Sequence, residues 1–440
     1  MSALRNALQQ LLAIVRGSPS VGQRHSTTKT NNQMPGTGSA GLVGLAEALL
    51  ESAKAMQANP QDKELRMSMA KLAKRIGTEA AGPESIIPMY AVAFGEIGAT
   101  YQFMEWKLFD KIPKDKSISY QELADSVGAD LSVVSRLGGM LVASGRLIQT
   151  SPGHVKHSST SHMFANGHNA GNLFRILLEH GLRGYLHWPE YFAKYGPHEP
   201  AGPTHNPFTF SHGHPEMGVF DVVALDEERA RIFASSMRSG DSISARFGGP
   251  ASLYDFSWLG AEAAGSAEGA PLLVDVGGSH GDTLKHIMQA VPSLPQERCV
   301  LQDRAEVVEE SARAADPALA RVRRVAHDFN EEQPVRGALV YLLRRVLHDY
   351  SDPICVRVLA RLAAALPAGD ARARVLIMDQ VLADPPSPAN AAADLVMFNI
   401  GGKERSPAGF EDIVAAAGMR VVKIHRKEGS EVGVVECAAA

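Results

Sequence analysis

The stretch PLLVDVGGSHGDTLKHIMQAVP, residues 271–292, decides the fold, because an apolar run leads into a glycine-rich turn and then into a helical pattern. Four more strand-like runs follow, at 298–304, 321–329, 337–350 and 373–382. Strands that alternate with helices form a parallel sheet covered on both faces. We therefore predict an α/β fold with a doubly wound, Rossmann-like sheet in the C-terminal half.

Polar side chains gather at the ends of these runs. A lone histidine beside an apolar strand, such as His348, is more often structural than catalytic. Ligands of doubly wound sheets, however, bind at the carboxyl ends of the strands. The sequence places several chemically useful residues there: Asp275, Gly277, Gly278, Gly281, Asp303, Asp328, His348 and Asp379. Chance does not explain that coincidence, so we predict a functional site at this edge.

The glycine turn has the pattern D-x-G-G-x-x-G, which NAD enzymes and many methyltransferases share. Asp303 would hold ribose hydroxyls in either class. No second dinucleotide-binding half is evident, and Asp328 with Phe329 offers a carboxylate and an apolar ring for an adenine. S-adenosylmethionine therefore fits this site better than NAD.

Composition argues against several classes of function. The 440 residues carry 44 Lys and Arg against 48 Asp and Glu, a net charge of −4 that disfavours nucleic acid and anionic lipid as partners. No run approaches the roughly 18 consecutive apolar residues of a membrane span. The three cysteines are widely spaced and odd in number, which indicates a reducing compartment, the cytoplasm.

Shifts in composition suggest four segments. Residues 1–43 are expected to be a disordered or weakly helical extension, because 17–41 has almost no large apolar side chains; its basic start weakly resembles a transit peptide. We expect a helical and winged-helix dimerisation domain over 44–165. Connecting helices over 166–255 would line the substrate pocket, and 256–440 would bind the cofactor.

The pattern of residues 118–158 predicts two short helices followed by two strand-like pieces, which is typical of a winged helix-turn-helix. DNA binding is the obvious interpretation, but the second helix offers only Arg136 before Gly145 to contact bases or phosphates. We favour dimerisation and the walling of a pocket. The run 86–112 is apolar all round, which makes it a candidate dimer contact.

Ten of the sixteen histidines fall between His154 and His214, so a metal site must be considered. Their spacing is irregular and no cysteine lies nearby, unlike a regular zinc-ligand pattern, and we expect no metal. The same region is rich in aromatic residues: Trp188, Tyr191, Phe192, Phe208, Phe210 and Phe220. These rings could hold a flat substrate or form ordinary core between domains.

Six motifs occur in the order and approximate spacing of a known family: VDVGGSHG, LQDR, AHDF, LLRRVLHDYSD, VLIMDQVL and GGKERS. Over roughly 85–436 the chain resembles the S-adenosylmethionine-dependent O-methyltransferases related to caffeic acid O-methyltransferase, in their fungal secondary-metabolite branch. The resemblance implies a methyltransferase domain, a homodimer formed through the N-terminal domain, and a small aromatic or polyketide-type acceptor.

The resemblance also implies roles for individual residues. Those assigned to the cofactor are Asp275, Gly277, Gly278, Gly281, Asp303, Asp328, Phe329 and Arg344. His348 matches the family's general base. Asp379 and Glu404 match the two carboxylates that flank it, although plant members usually have the longer Glu at the first position.

Phe233 and Met237 fall where plant members place an apolar Phe and Met against the acceptor ring. Three residues after Met237 those members have a histidine, and here Gly240 replaces it. Plant phenylpropanoid specificity is therefore not carried over. The identity of the acceptor, and whether its methylated atom is oxygen or nitrogen, stays open.

The chemistry gives His348 a role. A sulfonium is already a good methyl donor, so the enzyme has mainly to align the acceptor and remove its proton. A phenol has a pKa of about 10, and a neutral imidazole with a pKa of about 6.5 can take its proton. In an extended chain the side chain of Asp349 would point away, so we expect Asp379 and Glu404 to orient the ring.

Two other functions remain possible on the sequence. Some fungal proteins that resemble this family are pericyclases, which bind S-adenosylmethionine without transferring its methyl group. The retained His348 with both carboxylates favours transfer. A non-catalytic winged-helix regulator is disfavoured by the same residues and by the weakly basic second helix.

Overall fold

The computed structural model describes residues 39–245, 249–265, 269–427 and 432–440. The chain divides into two compact units, one ending at His162 and the other beginning at Met163. Residues 1–38, which make up most of the expected extension, lie outside the described residues.

The first unit is mainly helical and ends in a small sheet. Its helices are Ser39–Ala58, Lys63–Ala80, Ile86–Glu105, Leu108–Lys111, Tyr120–Asp125 and Leu131–Ala143. Its strands are β1 (Ile118–Ser119), β2 (Leu147–Ser151) and β3 (His154–His157), paired antiparallel in the order β1-β3-β2. Ser119 and Glu122 form a reciprocal capping box that starts the helix Tyr120–Asp125.

The second unit begins with helices that precede the large sheet. They are Asn169–Ile176, a π-helical segment Leu177–Leu182, Arg183–Leu186, Trp188–Tyr195, Pro207–Ser211, Val219–Ala224, Glu227–Ala245 and Ser257–Gly265. The π-helical segment directly joins the α-helices on either side of it, so the helix becomes wider there but is not interrupted.

The large sheet confirms the predicted α/β fold. Its strands are β4 (Leu273–Val276), β5 (Cys299–Asp303), β6 (Arg323–Ala326), β7 (Val340–Arg344), β8 (Arg374–Gln380), β9 (Met419–Arg426) and β10 (Val432–Ala439). Helices Asp282–Ala290, Ala305–Arg313, Asp352–Ala365, Pro388–Ile400 and Pro407–Ala416 connect them. The order is β6-β5-β4-β7-β8-β10-β9, and the first five of these strands are parallel.

Two features of the sheet go beyond the sequence pattern. Strand β10 pairs antiparallel with both β8 and β9, so the sheet is not parallel throughout. Neighbouring residues of β4 face different sides, with Leu273 in one buried cluster and Val274 in the other. The sheet is therefore buried on both faces, and the strand order reverses at β4, since β5 and β6 lie on one side of it and β7 and β8 on the other; such sheets bind their ligands at this point.

Candidate active site

The turn after β4 needs glycines for two reasons, because neighbouring side chains leave no room for a Cβ and because Gly277 has a positive φ. A Cβ on Gly277, which has a φ of 70°, would come within 2.9 Å of the Val346 side chain. A Cβ on Gly278 would come within 2.6 Å of the carboxyl group of Asp275, which is buried in β4. The turn therefore leaves a cradle that side chains would fill, as expected where a ligand approaches the backbone.

Asp303, at the end of β5, faces this cradle. Its Oδ2 accepts a hydrogen bond from the backbone N–H of Ser279 at 2.8 Å, and its Oδ1 accepts one from the N–H of Arg304 at 2.8 Å. Both carboxylate oxygens are thereby fixed, and each keeps a lone pair for another donor. This arrangement suits the vicinal hydroxyls of a ribose.

Phe329 and Asp328 lie beyond β6, on the same edge. A Cβ on Gly277 would stand 4.0 Å from the Phe329 ring, so this ring borders the cradle. Tyr350 packs edge-on against Phe329, with ring centroids 5.5 Å apart. The sequence analysis missed Tyr350, although an aromatic residue directly after His348 and Asp349 was a signal that could have been used.

Arg344 ends β7 and reaches the helix that follows the glycine turn. Its Nη1 donates a hydrogen bond to Thr283 Oγ1 at 3.1 Å. The eight residues assigned to the cofactor thus lie along the adjacent ends of β4 to β7 and in the loops after them. A glycine cradle beside a fixed carboxylate and a pair of aromatic rings fits S-adenosylmethionine.

His348 lies in a single 3₁₀ turn, Leu347–Asp349, that follows β7. Its Nδ1 is 3.0 Å from Glu404 Oε1, and its Nε2 is 3.5 Å from Asp349 Oδ1. The expectation that Asp349 points away was wrong, because the 3₁₀ turn curls the chain where an extended segment was assumed. Asp349 therefore lies on the Nε2 side of the ring.

The loop that carries Glu404 is fixed to the histidine turn through the backbone. The N–H of Lys403 donates to the carbonyl of His348 at 2.8 Å. A Cβ on Gly402 would collide with that same carbonyl. Glu404 itself is held by its N–H, which donates to Asp394 Oδ1 at 2.9 Å. The close approach of the His348 carbonyl explains why a glycine stands at position 402.

Asp379, near the end of β8, is buried and only 1% exposed. Neither of its carboxylate oxygens has a hydrogen-bond partner within the described part of the chain. It influences His348 through its charge rather than through a hydrogen bond. Burial raises the pKa of the Asp379 carboxyl to about 7.

The protonation of His348 reflects two opposing effects. Burial by itself lowers the pKa of the imidazole, but the surrounding carboxylates, Asp349, Glu404 and Asp379, raise it to about 9. Burial raises the pKa of Asp349 in turn. At neutral pH the site therefore favours an imidazolium, whereas the sequence analysis assumed a neutral imidazole with an ordinary pKa.

Phe233 forms part of an aromatic wall close to the cofactor residues. Its ring lies 5.8 Å from that of Phe220, and the guanidinium of Arg304, the residue after Asp303, sits 5.4 Å from the Phe220 ring centroid. Met237 belongs to the same helix as Phe233, but its side chain lies outside the described residues.

The histidine-rich region holds its histidines by separate interactions. Within the described residues, no group of three or more His, Cys, Asp or Glu side chains has a metal-binding arrangement. His212 pairs with Glu179 at 2.9 Å and His205 pairs with Glu216 at 2.8 Å.

Among the residues that the structure describes, no helix is long and apolar enough to cross a membrane.

Residues 200–420 match the family model of the O-methyltransferase domain. The chain belongs to this family. Among curated relatives, the methyltransferase cfoD of Aspergillus candidus is 41% identical over 389 residues, which cover 87% of this chain and 95% of that protein. The family assignment agrees with the glycine cradle and Asp303, and the protein is an S-adenosylmethionine-dependent O-methyltransferase.

Solved structures share the fold at low sequence identity. OxaC, crystallised with sinefungin and meleagrin, is 22% identical with a TM-score of 0.79, covering 91% of this chain and all of that chain. LepI, crystallised with S-adenosylmethionine, is 20% identical with a TM-score of 0.72, covering 91% of this chain and 99% of that chain. A third solved structure that is similar to this chain is described as a pericyclic reaction enzyme.

Proposed function

We propose that the enzyme methylates a hydroxyl group, phenolic or enolic, of a small aromatic or polyketide-type secondary metabolite, and that His348 is its general base. The observation that carries the proposal is the placement of His348, which is buried between two carboxylates at the edge of the sheet that holds the cofactor residues. A buried histidine with only a packing role would not need charged partners on both sides.

The hydrogen bonds of His348 assign its two nitrogens. Glu404 accepts from Nδ1–H, which fixes the tautomer and leaves the lone pair of Nε2 for the acceptor's proton. As the proton arrives, the negative charges of Glu404 and Asp349 stabilise the imidazolium. The charge of Asp379 also favours the imidazolium. Its own burial and the neighbouring carboxylates raise its pKa to about 7, so Asp379 is only partly ionised at neutral pH.

Bound S-adenosylmethionine supplies an electrophilic methyl group on a positively charged sulfur. If the sulfonium were held near His348, its positive charge would lower the pKa of the imidazole and favour release of its proton, because like charges repel. His348 would then act as a base, although its pKa in the free site is raised to about 9. The cradle, with Asp303, Asp328, Phe329 and Arg344, would hold the cofactor in reach.

Phe233 and Met237 would wall the acceptor, as their positions in the family pattern imply. The helix Ile86–Glu105 would form the homodimer contact, since it exposes a set of large apolar side chains: Ile86, Ile87, Met89, Tyr90, Val92 and Phe94.

We place the enzyme in the cytoplasm, because Cys299, Cys355 and Cys437 are all unpaired thiols. The segments 1–43, 44–165, 166–255 and 256–440 remain our proposed division of roles.

Pericyclic chemistry is the second candidate function, because the chain shares its fold with a structure described as a pericyclic reaction enzyme. The two functions differ in mass balance. A methyltransferase releases one S-adenosylhomocysteine for each product and makes the product heavier by one methylene unit. A pericyclase forms an isomer of its substrate and releases none.

The experiment uses the intermediate that accumulates in a strain lacking the gene. The purified protein is incubated with this compound and with S-adenosylmethionine that carries a trideuterated methyl group. Mass spectrometry is expected to show one CD₃ group in the product and an equal amount of S-adenosylhomocysteine. An unlabelled isomer, or no conversion with cofactor bound, would overturn the proposal.

A further inference from the structure

His180 lies in the π-helical segment Leu177–Leu182, where hydrogen bonds span five residues, as from the N–H of Arg183 to the carbonyl of Leu178. Asn399 supports this segment, because its Nδ2 donates to the carbonyls of His180 at 2.8 Å and Gly181 at 3.0 Å. Asn399 Oδ1 accepts in turn from Trp188 Nε1 at 2.7 Å. The backbone around His180 is thereby fixed by side chains that the sequence analysis did not single out.

The ring of His180 belongs to the aromatic wall. It lies nearly parallel to Phe233, with centroids 5.6 Å apart and an interplanar angle of 20°, and it packs against Phe208 at 4.5 Å. Phe233 in turn connects through Phe220 to Arg304 at the cofactor edge. His180 therefore stands where the wall of an acceptor pocket is proposed.

Its Nε2 is buried and has no hydrogen-bond partner in the part of the chain that the structure describes. Burial lowers the pKa of His180 to about 3, so the ring is neutral at physiological pH. A buried polar atom left without a partner is destabilising, and native proteins retain few of them. A ligand that completes the hydrogen bond gives such an atom a function.

His212 provides the contrast within the same region. It is equally buried, but its Nδ1 is 2.8 Å from the carbonyl oxygen of Phe208 and its Nε2 is 2.9 Å from Glu179 Oε2. Both nitrogens of His212 are thus satisfied by the protein. Of these two buried histidines, it is His180 that offers a nitrogen to a ligand.

We propose that His180 determines acceptor specificity: its Nε2 hydrogen-bonds a neutral oxygen of the acceptor, a carbonyl or a second hydroxyl, other than the oxygen that is methylated. The inference rests on the proposed function, since it is the proposed acceptor that Phe233 and His180 would wall. A neutral ring offers an uncharged hydrogen-bonding nitrogen, which suits a neutral oxygen better than an anion. The preferred acceptor is therefore a flat phenol with a carbonyl or hydroxyl on the same ring system.

The test replaces His180 by Phe, which keeps an aromatic ring but removes the nitrogen, and uses His212→Phe as the matched control. The first readout is the melting temperature without any acceptor. His180→Phe is expected to melt at or above the wild-type temperature, because it removes an unsatisfied polar atom. His212→Phe is expected to melt about 4 °C lower, because it removes the hydrogen bonds of the imidazole to Glu179 and to the carbonyl of Phe208.

The second readout compares two phenols, 7-hydroxycoumarin and 2-naphthol, which share a two-ring outline; only 7-hydroxycoumarin has a lactone, which supplies a carbonyl oxygen. In His180→Phe the KM for 7-hydroxycoumarin is expected to rise about tenfold with little change in kcat, the effect of one lost hydrogen bond. The KM for 2-naphthol is expected to stay the same.

A melting temperature of His180→Phe as low as that of His212→Phe would overturn the inference, since Nε2 would then be structural. Equal changes in KM for both phenols, or no change for either, would also overturn it. If the wild type methylates neither phenol while binding S-adenosylmethionine, the failure belongs to the proposed acceptor class. The melting comparison then decides the role of His180 by itself.

Discussion

Replacing Glu404 by Gln tests how the site sets the protonation of His348. The imidazole's pKa is raised from 6.5 to about 9, which corresponds to about 3 kcal/mol in favour of the charged ring at 1.36 kcal/mol per unit. Glu404 contributes to this twice, through the hydrogen bond to Nδ1 and through its charge. The amide of Gln can still accept the hydrogen bond but carries no charge, so we expect the pKa of His348 to fall by about one to two units.

The assay is a ¹⁵N NMR titration of the histidine side chains in the cofactor-free protein between pH 5 and 10, with the His348 signal assigned from its absence in His348→Gln. Glu436→Gln is the matched control, because Glu436 also accepts a hydrogen bond from a histidine, His425, at 2.8 Å in a separate part of the sheet. It should leave the titration of His348 unchanged. An unchanged or higher pKa in Glu404→Gln would refute the electrostatic account of this site.

The other predictions concern the cofactor, the buried carboxyl group and the dimer. Asp303→Ala should weaken S-adenosylmethionine binding about 100-fold or more, since two charge-assisted hydrogen bonds are lost; calorimetry showing wild-type affinity would contradict this. Burial raises the pKa of Asp379 from 3.8 to about 7 in the folded protein, so the folded state loses stability as pH rises from 3.8 to about 7, where only the unfolded chain has released the proton. Asp379→Asn should therefore gain roughly 2 kcal/mol more at pH 8 than at pH 5.5 in urea unfolding, and an equal gain at both would count against the raised pKa. Phe94→Glu, on the exposed face of Ile86–Glu105, should give a monomer by light scattering, whereas a wild-type monomer would exclude the dimer.

The parallel strands, and the edge of the sheet that carries the site, could be predicted from the sequence because both depend on regular patterns. Buried parallel strands appear as continuous apolar runs, and the polar residues that end β5, such as Asp303, interrupt those runs visibly. The antiparallel β9 and β10 did not follow, since strand direction depends on how the connection returns to the sheet. The alternation of strands and helices stops after β8, so the pattern carried no information there.

The details of the site depend on local backbone geometry that patterns do not encode. Asp349 reaches Nε2 of His348 only because residues 347–349 form a 3₁₀ turn. His180 looked like one of many irregularly spaced histidines, and its role depends on a π-helical segment supported by Asn399, 219 residues away. Neither contact could be inferred without the three-dimensional arrangement of distant segments.

The most direct test of the central claim is single-turnover methyl transfer by His348→Gln, measured alongside S-adenosylmethionine affinity and melting temperature. Gln keeps polarity and approximate size but cannot accept the proton. The account predicts nearly unchanged folding and cofactor binding, with methyl transfer slower by about two to four orders of magnitude. Transfer at the wild-type rate, or an unfolded variant, would show that His348 is a packing residue and not the base.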